Sequence, residues 1–473
     1  MNATPSFPAP RGIAVVDVGY TNSKVILYDA ALRPLAERKI ASPHQDGALY
    51  REINVEPIVA FAGAALRELD GVLPIDRIVT SAHGACVVAL SGDGTPAVPV
   101  MDYMSEPPPA ILRAYQKVMP GFEEAFTPPL PMALLHGMQL FWQQSEMPEA
   151  FAKVKTILPL MQYVAFRLGG RATTEVSSMS CQSHLVDMRD GRPSSMARRM
   201  GWNRFYAPEA KAWEVIGTLS PELRGTAFRG RGEITAGVHD SNANYLRYLA
   251  GGIPHFTLLS TGTWIIGFDT DADMAALDHA RDIVANKNVF GKTVACFRFF
   301  GGKEFEVLSQ GAAGTLATLD AAEKLVAASV MALPSFTDSG GPLPGTGLKG
   351  RITGPFEETP GNRATLASLY CALMVGESLD AIHSKGSIIV DGPFSQNGVF
   401  LALLAALRPG QKVLASQERD GTAAGAACLG LMGDGQLPQI DIAMREEAPA
   451  AIAGLADYQA RWQRQAKENA QHA

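Results

Sequence analysis

Short apolar runs broken by glycine turns give the chain its first legible order. Ile13-Ala14-Val15-Val16 ends on Asp17, the polar turn Val18-Gly19-Tyr20-Thr21-Asn22 follows, and Lys24 to Tyr28 resumes as a strand. This is strand, turn, strand, with the polar residues concentrated in the turn. The plan returns at Phe256 to Ser260, with the turn Thr261-Gly262-Thr263 and an exit strand from Trp264 to Phe268. A matching hairpin at the head of each half predicts an internally duplicated architecture. Further strands are predicted over 77–80, over 85–90 (closed by Ser91-Gly92-Asp93-Gly94) and over 387–390, ending at Asp391-Gly392. Helical spacing of apolar residues predicts helices over 137–144, 149–155, 160–168, 242–249, 363–383, 398–407 and 422–432. Helices between buried strands make the fold class α/β, with mixed sheets because hairpins open each half. Past Arg445, Ile452, Leu455, Tyr458 and Trp462 recur at helical spacing and predict a helix docked on the surface.

Length and charge narrow the picture. At 473 residues the chain exceeds one ordinary core, so two domains are expected, over 11–252 and 253–440, followed by a C-terminal helix over 445–473. A content of 47% hydrophobic and 19% charged residues describes a well-buried globular protein rather than a disordered one. The net charge of −6, with no basic run longer than a pair, argues against nucleic acid or an anionic membrane as partner. It remains compatible with a small substrate and a metal-bound phosphate donor. The five cysteines share no CxxC spacing and read as buried thiols in a reducing cytoplasm. No signal-peptide pattern opens the chain, and no run of 18 apolar residues occurs.

Candidate chemistry centres on Gly237-Val238-His239-Asp240, a carboxylate beside an imidazole between the two hairpin turns. In the first turn Gly19 allows close backbone approach, Thr21 and Asn22 add donors, and consecutive N–H groups make an anion nest. Asp17, at the strand end, is placed to face that anion through a divalent cation, because Mg²⁺ takes one or two carboxylates plus phosphates and water. Lys24 either adds a point charge or lies on the outer strand face. No GxxxxGK[ST] occurs, and the GxGxxG at Gly345 to Gly350 has neither a strand before it nor a helix after it, so it is not a dinucleotide fingerprint. Ser387 to Asn397 reads as a strand feeding a helix through a glycine turn, either a nucleotide site or an ordinary connection. The small-residue helix around Gly425 serves either a flat ring or helix packing. Of nine histidines only His83 and His239 stand in motif-like settings; His44 and His472 read as surface residues. Neither HExxH nor GxSxG is present.

Taken in order, these segments resemble the FGGY carbohydrate kinases of the actin/hexokinase/sugar-kinase superfamily. Asp17 to Lys24 is similar to the DxGTTxxK phosphate turn, Ser81 to Gly84 to the sugar-side loop, and Met138 to Leu168 with Thr174 to Ser177 to the helical insert and its TDxS segment. Gly237 to Asp240 resembles the catalytic GxxD, in the form found in rhamnulokinases and fuculokinases. Thr261-Gly262-Thr263 resembles the second phosphate turn, and Gly392 to Asn397 with Gly425 the adenosine site. The resemblance implies a two-domain, duplicated actin/hexokinase-like (ribonuclease H-like) fold with a cleft between domains, the first binding sugar and the second nucleotide. It implies ATP and Mg²⁺ as cofactors, Asp240 as general base and Asp17 as metal ligand. Substrate contacts are expected from His83, Gly84, Asp102, Tyr103 and His239. Nucleotide contacts are expected from Gly19, Tyr20, Thr21, Asn22, Lys24, Gly262, Thr263, Gly302, Gly392, Phe394, Gln396, Asn397 and Gly425.

Several positions depart from the family pattern. Tyr20 replaces a threonine, Pro393 and Phe394 replace two adenosine-site glycines, Gln162 and Glu175 replace aspartates, and Val100 to Met104 replaces a tryptophan-containing sugar segment. Phe394 is expected to pack on bound nucleotide. The reading is a cytoplasmic kinase for a small sugar, an L-ketose such as L-fuculose or L-rhamnulose, acting alone or as a homo-oligomer. The alternatives are a kinase for a non-sugar polyol or signalling molecule, and a regulator that binds sugar or nucleotide without turnover.

Overall fold

The computed structural model of the chain describes residues 10–418 and 420–471, so His472 lies outside the described residues. Two compact units result. The first is the chain as far as Gly252 with Ala285–Thr293 and Asp420–Ile440; the second is Ile253–Val284, Val294–Arg419 and Asp441–Ala473. Residues 420–440, expected in the second domain, thus pack in the first unit. The cause is the helix Gly421–Leu431, whose alanines and glycines admit helix Asp240–Ala250 at close range. A Cβ on Gly425 would lie 1.8 Å from the Ala243 carbonyl oxygen. Ala423, Ala426 and Ala427 share an apolar cluster with Ala243, Leu246 and Val289.

In the first unit the sheet runs Pro34–Ala41, Asn22–Asp29, Gly12–Val18, Ile75–Ala82, Glu233–Thr235, Val215–Thr218, and Val238–His239 also pairs with Ile75–Ala82. Gly12–Val18 is buried along its whole length, as expected of a strand covered on both faces. Helix Val55–Asp70, absent from the sequence reading, lays Ile58, Ala62, Leu66 and Leu69 into this core, and Asn54 caps it by accepting from Glu56 N.

The second unit repeats the plan. Phe256–Thr261 pairs antiparallel with Ile265–Asp269 and parallel with Ser387–Asp391, as Gly12–Val18 pairs antiparallel with Asn22–Asp29 and parallel with Ile75–Ala82. In each case a long helix precedes the parallel neighbour, Val55–Asp70 in the first unit and Pro360–Ala381 in the second. The last helix, Leu455–Gln471, docks one face on this core, as its apolar spacing predicts, and exposes the other. Tyr458, Trp462 and Ala466 are fully buried, Tyr458 Oη donates to Val330 O (2.6 Å) and Trp462 Nε1 to Ala332 O (2.7 Å). Ile452 precedes the helix, and of the helix expected over 149–155 only Pro148–Phe151 forms. Among the described residues no helix is long and apolar enough to cross a membrane, and all five cysteines are buried and free.

The Gly425 contact yields a direct test. Gly425→Ala puts a methyl group against a backbone oxygen that cannot move without its helix, an overpacking of about 2–3 kcal/mol. The thermal midpoint is expected to fall by about 3–5 °C; a midpoint within about 1 °C of wild type contradicts the close packing.

Candidate active site

Strand Ile75–Ala82 is paired in parallel on both sides near its C-terminal end. Asp17 stands opposite Ser81 and Val18 opposite Ala82 on one side; Val238 stands opposite Ser81 and His239 opposite Ala82 on the other. Three strand ends therefore bring Asp17, His83-Gly84 and His239-Asp240 together, at the carboxyl edge where α/β sheets hold ligands. Gly237 makes the turn into this edge with φ +85°, and a Cβ there would lie 2.2 Å from Thr80 Oγ1. Asp240 is then the first residue of helix Asp240–Ala250.

The Asp240 carboxylate is held by one oxygen. Oδ1 accepts from Ser241 N (2.6 Å) and lies 3.0 Å from His239 Nε2, whereas Oδ2 has no protein partner among the described residues and the side chain is 31% exposed. Burial works against its charge, but the hydrogen bond and field of His239 outweigh it and hold its pKa below the ordinary carboxylate value. The converse holds for His239. Burial opposes its charge, yet the Cys181 sulfur (3.4 Å from Nε2) and Asp240 raise its pKa well above the usual value. The Asn242 amide meets Nδ1 at 3.0 Å and serves either protonation state, donating to the neutral ring or, turned over, accepting from the imidazolium. Against this pair stands His83, whose pKa burial pushes down to about 4, so it is neutral, and whose buried Nδ1 has no partner.

Rings form the wall beside these groups. Tyr103 lies edge-on to His83 with centroids 5.2 Å apart, and Tyr20 sits 4.9 Å from Tyr103 and 4.5 Å from His44. Asp102, expected to contact substrate, is fully buried. Its Oδ2 lies 2.9 Å from His44 Nδ1 and accepts from Tyr20 Oη (3.3 Å), and its Oδ1 accepts from Met104 N (2.9 Å). It orients the wall. His44, expected at the surface, is drawn inward by Asp102 and by the Tyr20 carbonyl, 2.8 Å from Nε2.

In the first turn Gly19 N donates to Asn22 O (3.0 Å), Ser42 Oγ donates to Gly19 O (2.7 Å) and Ser42 N to Thr21 O (3.0 Å). The carbonyls are thereby tied back, and the Tyr20 and Thr21 N–H groups have no acceptor among the described residues. Two consecutive open N–H groups in a turn suit an anion. Beside it, burial first and then the nearby Asp420 and Asp240 push Asp17 up to about 7, against the pull of Lys24, whose Nζ is 3.8 Å away. A carboxylate destabilised by burial next to an anion turn fits a divalent cation held mostly by phosphate and water. Among the described residues no group of three or more His, Cys, Asp or Glu forms a cage able to hold a metal ion. Lys24 does not reach into the turn; it is hydrogen-bonded to Asp420.

In the second unit Gly302 and Gly392 both close on the turn at Thr261 to Thr263. A Cβ on Gly302 would lie 2.1 Å from Gly262 O, and one on Gly392, at φ +89°, 2.1 Å from Thr261 O. Gly302 N donates to Thr263 O (3.1 Å) and Phe394 N to Thr261 Oγ1 (3.1 Å). Three expected nucleotide contacts are otherwise engaged. The Phe394 ring is turned into the core between Phe305 (5.7 Å) and Phe400 (5.0 Å), since replacing glycine by an apolar ring adds a side chain that buries itself. Asn397 caps helix Gly398–Leu407 through Phe400 N and donates to Ser368 Oγ (2.9 Å). Gly425 spends its open face on Ala243 of the first unit, leaving no space there for a ring. Gln396 is exposed. Glu175 and Gln162 are buried, the first capping Val176–Ser180 and the second donating to Ala236 O (3.1 Å).

Four participants had no sequence signal of their own: Cys181, His136 (Nε2 against Gly84 O), His44 and Asp420. Only tertiary packing brings them in; the nearest hint was the position of Asp420 just before the small-residue helix.

Comparison with known proteins follows this geometry. The family model described as carbohydrate kinase FGGY, C-terminal domain, matches residues 254–439. A carbohydrate kinase from Novosphingobium aromaticivorans is 32% identical, with a TM-score of 0.87 over 98% of this chain and 99% of that one. A xylulose kinase from Rhodospirillum rubrum (17% identity, TM-score 0.78, covering 97% of this chain and 98% of that one) shares the fold. So does a glycerol kinase from Plasmodium falciparum, solved with ADP (14% identity, TM-score 0.77, covering 98% and 99%). A search of the curated proteins returns no match.

Gly84 gives this site its own test. A Cβ there would lie 2.5 Å from Cys181 Sγ and 2.8 Å from the His239 ring. Gly84→Ala is expected to displace His239 and lower kcat/KM at least about tenfold, and adding Cys181→Ala to recover part of the loss by reopening the space. Wild-type kinetics in Gly84→Ala contradict the packing of His239 against this loop.

Proposed function

The chain belongs to the FGGY carbohydrate kinase family, and we propose that it uses ATP to phosphorylate a primary hydroxyl of a small ketose of the L-fuculose or L-rhamnulose kind. The observation that carries this reading is the Asp240 carboxylate, fixed through Oδ1 and open at Oδ2, at the junction of three strand ends. The same edge holds a neutral imidazole with an unpartnered nitrogen, His83, and the ring of Tyr103. A polyhydroxyl compound needs such a mixture of flat apolar surface and directed polar groups.

The chemistry follows from positions. Asp240, ionised at neutral pH, takes the proton of the acceptor hydroxyl at Oδ2 as that oxygen bonds to the terminal phosphorus of ATP; the bond from that phosphorus to the bridging oxygen breaks, and ADP leaves with the electron pair. His239 stabilises the carboxylate before transfer and fixes its orientation. The N–H groups of Tyr20 and Thr21 receive phosphate oxygens, and in the second unit the turn at Gly262 and Thr263, lined by Gly302 and Gly392, serves the nucleotide phosphates. Mg²⁺, held by Asp17 and the phosphates, would supply charge neutralisation. His83, Tyr103 and His239 contact the ketose. The buried cysteines and the need for ATP support a cytoplasmic location.

A panel of purified ketoses, aldoses and polyols, read by ADP release, tests the assignment; turnover of an L-ketose above all others is expected, and ATP binding without turnover of any member overturns it. Asp240→Asn keeps the side-chain shape and removes the base. Its kcat is expected to fall roughly 10²–10⁴-fold with nucleotide affinity within about twofold of wild type. Retained turnover removes Asp240 from the role of base.

A further inference from the structure

Lys24 stands directly across the first hairpin from Asp17, the two being register partners in adjacent strands. Side chains so placed are within reach of each other, and two opposite charges there would be expected to close on one another. They pair only loosely: the Lys24 ammonium lies 3.8 Å from Asp17 Oδ2, a long ion pair, and gives its hydrogen bond to Asp420 Oδ2. Asp420 lies far along the chain, at the N-cap of helix Gly421–Leu431, where its Oδ1 accepts from Ala423 N (3.4 Å). The helix N-terminus favours an anion at that position, and the Gly425–Ala243 contact fixes the helix against Asp240–Ala250. One carboxylate oxygen thus holds the helix start and the other holds the lysine. Asp17 is buried, its side chain 9% exposed, whereas Lys24 and Asp420 are 24% and 26% exposed.

We propose that Asp420 is a positioning residue that parks Lys24, drawing its ammonium off Asp17 so that the Asp17 carboxylate stays available to a divalent cation. The inference rests on the reading of Asp17 as the cation ligand. It explains why an acid so close to a lysine is not consumed by it. Asp420 acts through Lys24 and need not touch the substrate.

Asparagine separates the two duties of Asp420, since it caps a helix as well as aspartate does but carries no charge. The experiment is the affinity for Mn²⁺ with ADP present, read by electron paramagnetic resonance, in wild type, Asp420→Asn, Lys24→Met and the double variant. In Asp420→Asn, Lys24 is expected to fall back on Asp17 and raise the Mn²⁺ Kd about tenfold or more. The thermal midpoint is expected to stay within about 2 °C of wild type. In the Lys24→Met background the same substitution is expected to change Kd less than about twofold, because the residue it acts through is gone. Lys24→Met alone is expected to bind Mn²⁺ at least as tightly as wild type. The kcat of Asp420→Asn is expected to fall with the acceptor KM unchanged, and Asp420→Glu to recover most of it. An unchanged Kd in Asp420→Asn, an equal loss in both backgrounds, or weaker binding in Lys24→Met each overturns the proposal. If wild type takes up no Mn²⁺ with ADP, the reading of Asp17 fails first and the inference with it.

Discussion

The register of strand Ile75–Ala82 is the constraint on which the rest of the first unit depends. Its C-terminal residues bond on one side to the strand carrying Asp17 and on the other to Val238–His239. A slip of one residue on either side would turn every side chain of that strand to the opposite face of the sheet. In the observed register Ile13, Val15, Ile78 and Val79 are fully buried, and Asp17 and His239 stand at the carboxyl edge. Gly237 completes the arrangement, because its positive φ lets the chain pass Thr80 and enter the helix headed by Asp240.

Within that frame the charges are set by burial and by one partner each. Asp240 is half-buried against His239, which holds its pKa below the ordinary value; Asp17 is buried beside two further carboxylates and is driven up to about 7. His83, buried without a strong partner, stays neutral. A carboxylate held low, a carboxylate pushed up and a neutral ring are three different states. They come from three different surroundings of ordinary side chains. Asp102 is a carboxylate engaged by Tyr20, His44 and Met104, two of which carry rings of the wall.

Much of the backbone plan was legible from apolar periodicity. The two hairpins, the strand at 387–390 and the helix at 160–168 lie where their patterns predict, since each has a burial pattern of its own. Helix Val55–Asp70 carries a readable pattern, Ile58, Ala62, Leu66 and Leu69 at helical spacing after an Asn54 cap, although the sequence reading did not include it. At the site, Asp17, Gly19, His83 and Asp240 were readable because turns and strand ends have local signatures. The fates of Asp102, Phe394, Asn397 and Gly425 were not, because burial and capping are decided by partners remote in sequence. Asp420 is the sharpest case. Its partner Lys24 is 396 positions away, and no local pattern links them.

The central claim is that Asp240 Oδ2 is the atom that receives the acceptor proton. The most direct measurement is a crystal structure with a turned-over ketose and a non-hydrolysable ATP analogue. The attacked hydroxyl is predicted to lie about 2.6–3.2 Å from Asp240 Oδ2. A hydroxyl beyond about 4 Å from that oxygen, with another carboxylate or imidazole in hydrogen-bond reach, would contradict the account.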